Sequence, residues 1–265
     1  NSDLACRALY PSYTTLPCIE FEEAFAAVRD GKADLAMIPI ENSVAGRVAD
    51  VHYLLPEGGL HIIGEHFQPI VHHLLAVKGA KLKDIKRVES HVQALAQCRK
   101  WLLKHKMKPV VHADTAGAAA DIAKKKDKSV AAIATELAGK IYGLTSLASG
   151  MANYKDNTTR FVILAKQPKI PPRGTKSVTT LIFRVRSIPA ALYKALGSFA
   201  TNGVNITKIE SYLVGGHFSK AQFRVDLEGH PQDRALKLAL DELNYVAQDV
   251  RILGVYPAHK FRLKG

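Results

Sequence analysis

The segment Lys166-Gln167-Pro168-Lys169-Ile170-Pro171-Pro172-Arg173-Gly174-Thr175-Lys176 holds three prolines and a glycine and has little to bury. Proline lacks a backbone donor and fixes φ, so such a stretch neither continues a helix nor sits inside a sheet; it reads as a linker. It divides the 265 residues into a first domain at 1–166 and a second at 177–265, with 167–176 between them. That length is comfortable for two hydrophobic cores, and a hydrophobic fraction of 47% does not limit burial.

The net charge of +13 admits a nucleic-acid partner, an anionic small molecule or a lysine-rich surface. Lys124-Lys125-Lys126 and Lys104-His105-Lys106 fall at expected helix ends, where cations suit the macrodipole. Aromatic residues do not interleave with the basic ones, so a charged surface is the expected reading and nucleic acid is not an expected partner. Cys6, Cys18 and Cys98 are too few and too scattered for a disulfide framework or a zinc site. His61, His66 and the pair His72-His73 lack metal-ligand spacing, so no metal is expected. No run approaches the roughly 18 apolar residues of a membrane span. Asn1-Ser2-Asp3 opens on an amphipathic segment without a secretion-signal pattern, so the cytoplasm is the expected compartment and no membrane partner is expected.

In the first domain short apolar runs alternate with amphipathic helices. Helices are expected at Phe21 to Arg29, Val48 to Leu55 (stopped by Pro56 and Gly58-Gly59), Val92 to Lys104 and Ala116 to Lys125. Strands are expected at Ala33 to Ile40, through His61 to Val77 with a break near Pro69, at Pro109 to His112 and at Val130 to Ala134. This alternation predicts an α/β layer structure with a largely parallel sheet. The second domain reads strand, helix, strand, strand, helix, strand, the ferredoxin-like βαββαβ order: Val178 to Arg186, Ala190 to Thr201, Val204 to Val214, a Gly215-Gly216 turn, Phe218 to Leu227, Pro231 to Leu243, and Val250 to Val255. One face of this small sheet is expected to carry the helices, leaving edges suited to pairing with another copy.

Ligands of α/β sheets bind where strands end and helices begin. Polar strand exits of this kind are Pro39-Ile40-Glu41-Asn42-Ser43, Glu89-Ser90-His91 and His112-Ala113-Asp114-Thr115, although each also suits an ordinary helix cap. Asp156-Asn157-Thr158-Thr159-Arg160-Phe161 then enters the apolar run Val162-Ile163-Leu164, placing hydroxyls, a carboxamide and a guanidinium at a strand mouth. Such a mouth can hold an anion and donate hydrogen bonds to it, or it can be a polar turn capping a strand.

Five segments in order resemble bacterial prephenate dehydratase with a carboxy-terminal ACT regulatory domain. They are Pro39 to Ser43, Ser90 to Cys98, Asn157 to Phe161, Pro189-Ala190-Ala191-Leu192-Tyr193-Lys194, and Asn205-Ile206-Thr207-Lys208-Ile209-Glu210-Ser211. The resemblance implies a two-lobed catalytic domain like a periplasmic binding protein, followed by a ferredoxin-like ACT domain. The chain departs from the pattern in several places. Val92 stands where proline is common, Tyr212-Leu213 follow Ser211 in place of Arg-Pro, and Ala190 replaces the usual glycine. The family's opening strand is expected to be missing before Asn1, and no fused chorismate mutase domain is expected within these residues.

The resemblance implies conversion of prephenate to phenylpyruvate, water and CO2 without a cofactor, because aromatisation drives the reaction. The enzyme must hold a dianion and stabilise the departing hydroxide. The catalytic residues expected are Thr159 at the leaving hydroxyl and Arg160 as a two-pronged carboxylate clamp, with Asn42, Ser90 and Gln97. Glu41, Ser43, Thr115, Asn157, Thr158 and Phe161 are expected to line the substrate. The effector implied is phenylalanine, held by Ala190, Ala191, Leu192, Asn205, Ile206, Thr207, Glu210 and Ser211 in a homodimer or homotetramer. Arogenate dehydration and a non-enzymatic aromatic-metabolite sensor are the alternatives.

Overall fold

The computed structural model describes residues 1–154, 156–213 and 221–264. Helices α1 (Ser2–Leu9) and α2 (Phe21–Arg29) open the chain. Glu22 and Glu23 occupy the first turn of α2, while Phe25, Ala27 and Val28 are buried on its inner face. Strand β1 (Leu35–Asn42), the two-residue β2 (Gly46–Arg47), helix α3 (Ala49–Glu57) and strand β3 (His61–Pro69) complete this part of the first lobe. Helix α3 runs two residues past Leu55 and stops at Gly58, the later part of the expected stop, rather than at Pro56. Pro56 lies in the terminal turn, where a single missing bond is tolerated, and the helix ends at Glu57.

The second lobe holds β4 (His73–Ala76), β5 (Arg87–Ser90), α4 (Val92–Gln97), α5 (Arg99–Lys104), β6 (Lys108–Val111), α6 (Thr115–Lys125), β7 (Val130–Ala134), α7 (Glu136–Tyr142) and β8 (Thr145–Ser149). The single helix expected over Val92 to Lys104 is two, because Cys98 leaves the helical region at φ −101°, ψ 8° while its side chain is fully buried. The sheet order is β6-β5-β7-β4-β8, with β5 parallel to β6 and β7 and with β4 antiparallel to β7 and β8. Strand β9 (Thr158–Ala165) returns to the first lobe and lies antiparallel between β1 and β3. The largely parallel sheet is therefore corrected to a mixed one, since both strands that cross between the lobes run against their neighbours.

The last part has β10 (Ser177–Arg184), α8 (Ala191–Thr201), β11 (Ile206–Leu213), β12 (Ala221–Glu228), α9 (Arg234–Val246) and β13 (Asp249–Pro257). Its order β11-β12-β10-β13, antiparallel throughout, is the expected βαββαβ arrangement. Helix α9 begins later than Pro231 suggested, because His230 to Asp233 forms a hydrogen-bonded turn first. The Gly215-Gly216 turn lies outside the described residues.

The helices lie on one face of this sheet, as expected, and the first lobe covers the other. Alternation sends Leu181, Phe183, Val225 and Leu227 towards α8 and α9, where they meet Phe199, Leu236 and Leu243. Val178, Ile182, Leu253 and Tyr256 instead share a core with Phe25, Val28, Val51 and Leu55 of the first lobe. The strands continue across the boundary as one eight-stranded sheet, β11-β12-β10-β13-β3-β9-β1-β2. Its seam is the parallel contact of Gly254 with Ile62, where a Cβ on Gly254 would meet the Ile62 carbonyl and side chain. Gly254→Ala should therefore cost about 1–3 kcal/mol of stability in denaturant unfolding. Unchanged stability would show that the seam does not need a bare backbone.

Candidate active site

Strands β1 and β9 pair with Pro39 opposite Phe161, Glu41 opposite Arg160, and Asn42 opposite Thr159. The register shifts between Pro39 and Glu41, so Ile40 is an inserted residue with no partner of its own. Its side chain is buried in the lobe core, and its carbonyl accepts from the Val48 backbone N–H at 3.1 Å. Without that bulge, Ile40 would oppose Arg160 and Glu41 would oppose Thr159. With it, the strand pair carries amide and hydroxyl on one face and carboxylate and guanidinium on the other.

On the first face, the Asn42 carboxamide is fixed by its own loop. Its Oδ1 accepts from the backbone N–H groups of Val44 (3.0 Å) and Ala45 (2.8 Å), so Nδ2 must point back across the strands. Asn42 Nδ2 donates to Thr159 Oγ1 at 3.0 Å and to Asn157 Oδ1 at 2.7 Å. Asn157 Nδ2 then donates to Gln97 Oε1 at 2.9 Å, and His72 Nε2 lies 2.6 Å from that same oxygen. An amide oxygen only accepts, so His72 carries its proton on Nε2; burial lowers the pKa of its ring and keeps it neutral. The chain of bonds thus runs from the first lobe, through the returning segment, to helix α4 of the second lobe.

On the opposite face, Arg160 is 3% exposed and all its nitrogens are engaged. Nε donates to Glu65 at 2.9 Å, Nη1 to Glu41 at 3.0 Å and Asp226 at 2.5 Å, and Nη2 to the Tyr256 hydroxyl at 3.0 Å. The clamp role for Arg160 is therefore corrected: its guanidinium faces the βαββαβ unit, away from Thr159, because adjacent residues of a strand point to opposite sides. Glu41 is likewise corrected from substrate lining to an ion pair with Arg160 and with Lys208 at 2.6 Å.

The other expected residues divide in the same way. Asn42, Asn157, Thr159 and Gln97 are brought together. Ser43 Oγ donates to the Asp156 carbonyl at 2.7 Å and accepts from the Thr158 N–H at 3.0 Å, which closes the strand mouth. Ser90 is fully buried and donates to the Ile133 carbonyl at 2.6 Å, so it ties two strands together and is not open to a ligand. Phe161 is fully buried. Thr115 opens α6 behind the cap Asp114 and makes no bond to the Asn42 chain.

Among the expected effector residues, Ala190 caps α8 at φ +60°, a conformation in which glycine would sit without strain. Ala191 begins that helix, while Leu192 and Ile206 pack on the helix-side core. Asn205 Nδ2 donates to Glu228 at 2.9 Å, and Ser211 is exposed. Thr207 and Glu210 both have partners within the chain. Thr207 Oγ1 bonds the Asp226 carbonyl (3.2 Å) and Arg262 (3.1 Å), and Glu210 pairs with Lys208 (3.1 Å) and Arg224 (3.5 Å). His52 Nε2 also lies 2.9 Å from Glu210, without hydrogen-bond alignment. Sequence reasoning missed His72, Glu65, Asp226 and Tyr256. His72 stood out as half of a histidine pair, whereas the other three sit in unremarkable strand patterns.

A two-lobed α/β protein with a polar chain between its lobes and an attached βαββαβ unit is the class that fold and site define. The sequence profile described as "Prephenate dehydratase" matches residues 1–169, and the chain belongs to that family. It is 50% identical over 264 residues to the "Bifunctional N-acyl-homoserine lactone acylase/prephenate dehydratase" of Komagataeibacter europaeus, covering 99% of this chain and 94% of that one. It is 40% identical to "Arogenate dehydratase/prephenate dehydratase 2, chloroplastic" of Arabidopsis thaliana, over 97% of this chain and 70% of the relative. The crystal structure of a prephenate dehydratase in complex with L-Phe from Arthrobacter aurescens superposes with a TM-score of 0.89 at 34% identity, over 97% of this chain and 86% of that one.

The reverse face has a pH signature. Burial alone would raise the Asp226 pKa, but Arg160, Arg224 and the Thr180 hydrogen bond outweigh it and hold the carboxyl at about 2 against an ordinary 3.8. Burial likewise opposes ionisation of Glu210, yet the His52 contact, Arg224 and Lys208 hold it at about 2 against 4.5. Both folded values lie below the unfolded ones, so the stability they contribute is complete above about pH 4.5 and is lost as pH falls towards about 2. Asp226→Asn should therefore narrow the gap between denaturation midpoints measured at about pH 6 and about pH 3. An unchanged gap would show that Asp226 is not held ionised by the network.

Proposed function

We propose that this chain catalyses the decarboxylating dehydration of prephenate to phenylpyruvate, water and CO2 in phenylalanine biosynthesis. Residues 1–166 form the catalytic domain in this reading, 167–176 the linker, and 177–265 an ACT regulatory domain that answers to phenylalanine. The observation that carries it is the fixed direction of Asn42. Its Nδ2 supplies a hydrogen bond to Thr159 Oγ1, which leaves the Thr159 proton free to be donated elsewhere. A donor held in this way is stationed for the ring hydroxyl as the C–O bond breaks, where negative charge develops.

The proton on Thr159 then stabilises the departing oxygen while Asn157, Gln97 and His72 hold the donor's support in place from the facing lobe. Ser43, Thr158 and Thr115 remain as further lining. The electron pair of the bond between ring carbon and carboxylate enters the ring as CO2 and hydroxide leave; the hydroxide takes up a proton from solvent to become water, and the product is aromatic. Phenylalanine binding is supported by the L-Phe complex of the Arthrobacter relative. The ACT reading also carries a homodimer or homotetramer, and a cytoplasmic location is proposed beside it.

Two further substrates follow from the relatives. The Arabidopsis relative bears the arogenate name as well as the prephenate one, so arogenate is the nearest alternative substrate. The Komagataeibacter relative bears an N-acyl-homoserine lactone acylase name, and its identity across nearly the whole chain makes amide hydrolysis of such lactones a second reading. Purified chain should form phenylpyruvate from prephenate, and parallel assays with arogenate and with an N-acyl-homoserine lactone should rank the three. Thr159→Ala should lower prephenate turnover by about 10²–10⁴-fold with the unfolding midpoint retained. Near-normal turnover would remove Thr159 from the reaction.

A further inference from the structure

We propose that the ion network behind the β1–β9 pair couples the βαββαβ unit to the reaction: Arg160 is a positioning residue that acts through Thr159, and Lys208 links strand β11 to Glu41. The proposal rests on the reading of Thr159 as the donor and of the βαββαβ unit as the effector domain.

Three features carry it. Arg160 and Glu41 are the strand neighbours of Thr159 and Asn42, and the two pairs face each other directly across β1 and β9. A shift of Arg160 therefore moves Thr159 through one peptide unit. Next, the partners of Arg160 come from both parts of the chain: Glu41 and Glu65 from the first lobe, Asp226 and Tyr256 from the βαββαβ unit. Nη1 is shared between Glu41 and Asp226, one from each side of the boundary.

The third feature is Lys208 on β11, which bridges Glu41 Oε2 at 2.6 Å and Glu210 Oε1 at 3.1 Å. Lys208 and Arg160 thus hold different oxygens of the same Glu41 carboxylate. A displacement of β11 that draws Lys208 away leaves Glu41 wholly to Arg160, and Nη1 is then pulled from Asp226 towards the first lobe. Arg262, from the C-terminal turn, bonds both Glu65 (2.7 Å) and Thr207 (3.1 Å) and ties the same strand β11 to β3. The network has alternative pairings available to its members, which is what a two-state coupling element requires.

The test is steady-state kinetics of the full chain on prephenate, with and without phenylalanine, for the wild type, Lys208→Ala and Asp226→Asn, with phenylalanine binding followed by calorimetry. Lys208→Ala takes Lys208 from Glu41 as the displacement of β11 does, so kcat/KM without effector should move to within about twofold of the wild-type value with phenylalanine bound. Phenylalanine should still bind, but the factor by which it changes kcat/KM should shrink at least about fivefold. Asp226→Asn should lower kcat about tenfold with KM within about twofold, the split expected of a residue that never touches substrate. A phenylalanine response of wild-type size in both variants overturns the coupling, as does a wild type that turns over prephenate but ignores phenylalanine. A rise in KM alone for Asp226→Asn overturns the positioning role of Arg160. A wild type with no prephenate turnover overturns the functional reading beneath the proposal, a result distinct from the others.

Discussion

The antiparallel pairing of β1 with β9, with its single inserted residue at Ile40, is the constraint on which the rest of this structure depends. Because a strand alternates its side chains, the register decides which groups meet, and the extra residue moves Asn42 opposite Thr159 and Glu41 opposite Arg160. The bulge is held in place because Ile40 buries its side chain in the lobe core while its carbonyl takes the Val48 N–H. Pro39 beside it lacks an N–H and so weakens the competing regular ladder.

From that register follow two chemically different surfaces on one strand pair. One face is neutral, with carboxamides and a hydroxyl whose donors and acceptors are matched from Asn42 to His72. The other sets four carboxylates, Glu41, Glu65, Glu210 and Asp226, against the four cations Arg160, Lys208, Arg224 and Arg262, and of these Glu65, Asp226, Arg160 and Arg224 are buried. Burying one such charge alone would cost several kcal/mol, so the balance is needed for the boundary to close at all. An apolar contact there would add as much stability, but it would not dictate which residue of β12 meets which residue of β9. The shared apolar cluster around Phe25, Val51, Ile182 and Tyr256 supplies the adhesion, and the charges supply the alignment.

Much of this was legible in the residues. The proline-rich linker, the βαββαβ order and the strand mouth at Asn157 to Phe161 rest on local chemistry: a missing donor, an alternation, and a polar run against an apolar one. The resemblance put Asn42, Gln97 and Thr159 together with Ser90 and Arg160, and Asn157 in the lining; the structure joins Asn42, Gln97, Asn157 and Thr159 by hydrogen bonds and leaves Ser90 and Arg160 out. What failed depended on long-range pairing. Arg160 next to Thr159 suggested a shared cleft, whereas strand alternation places neighbours on opposite faces. Asp226 and Tyr256 lie some 66 and 96 residues from Arg160 along the chain, beyond any local pattern. The same long-range contact covers the sheet face opposite the helices, and the break at Cys98 is where distant Asn153 bonds the helix backbone at Ala96, Gln97 and Lys100.

The central claim is that substrate meets the Asn42–Thr159 face while Arg160 stays with its carboxylates behind it. A crystal structure of the full chain with a non-reactive prephenate analogue tests this most directly. The account predicts the analogue's ring oxygen within hydrogen-bonding distance of Thr159 Oγ1, with Arg160 still bonded to Glu65 and to Asp226 or Glu41. An Arg160 guanidinium turned out of its network and paired with an analogue carboxylate would contradict it.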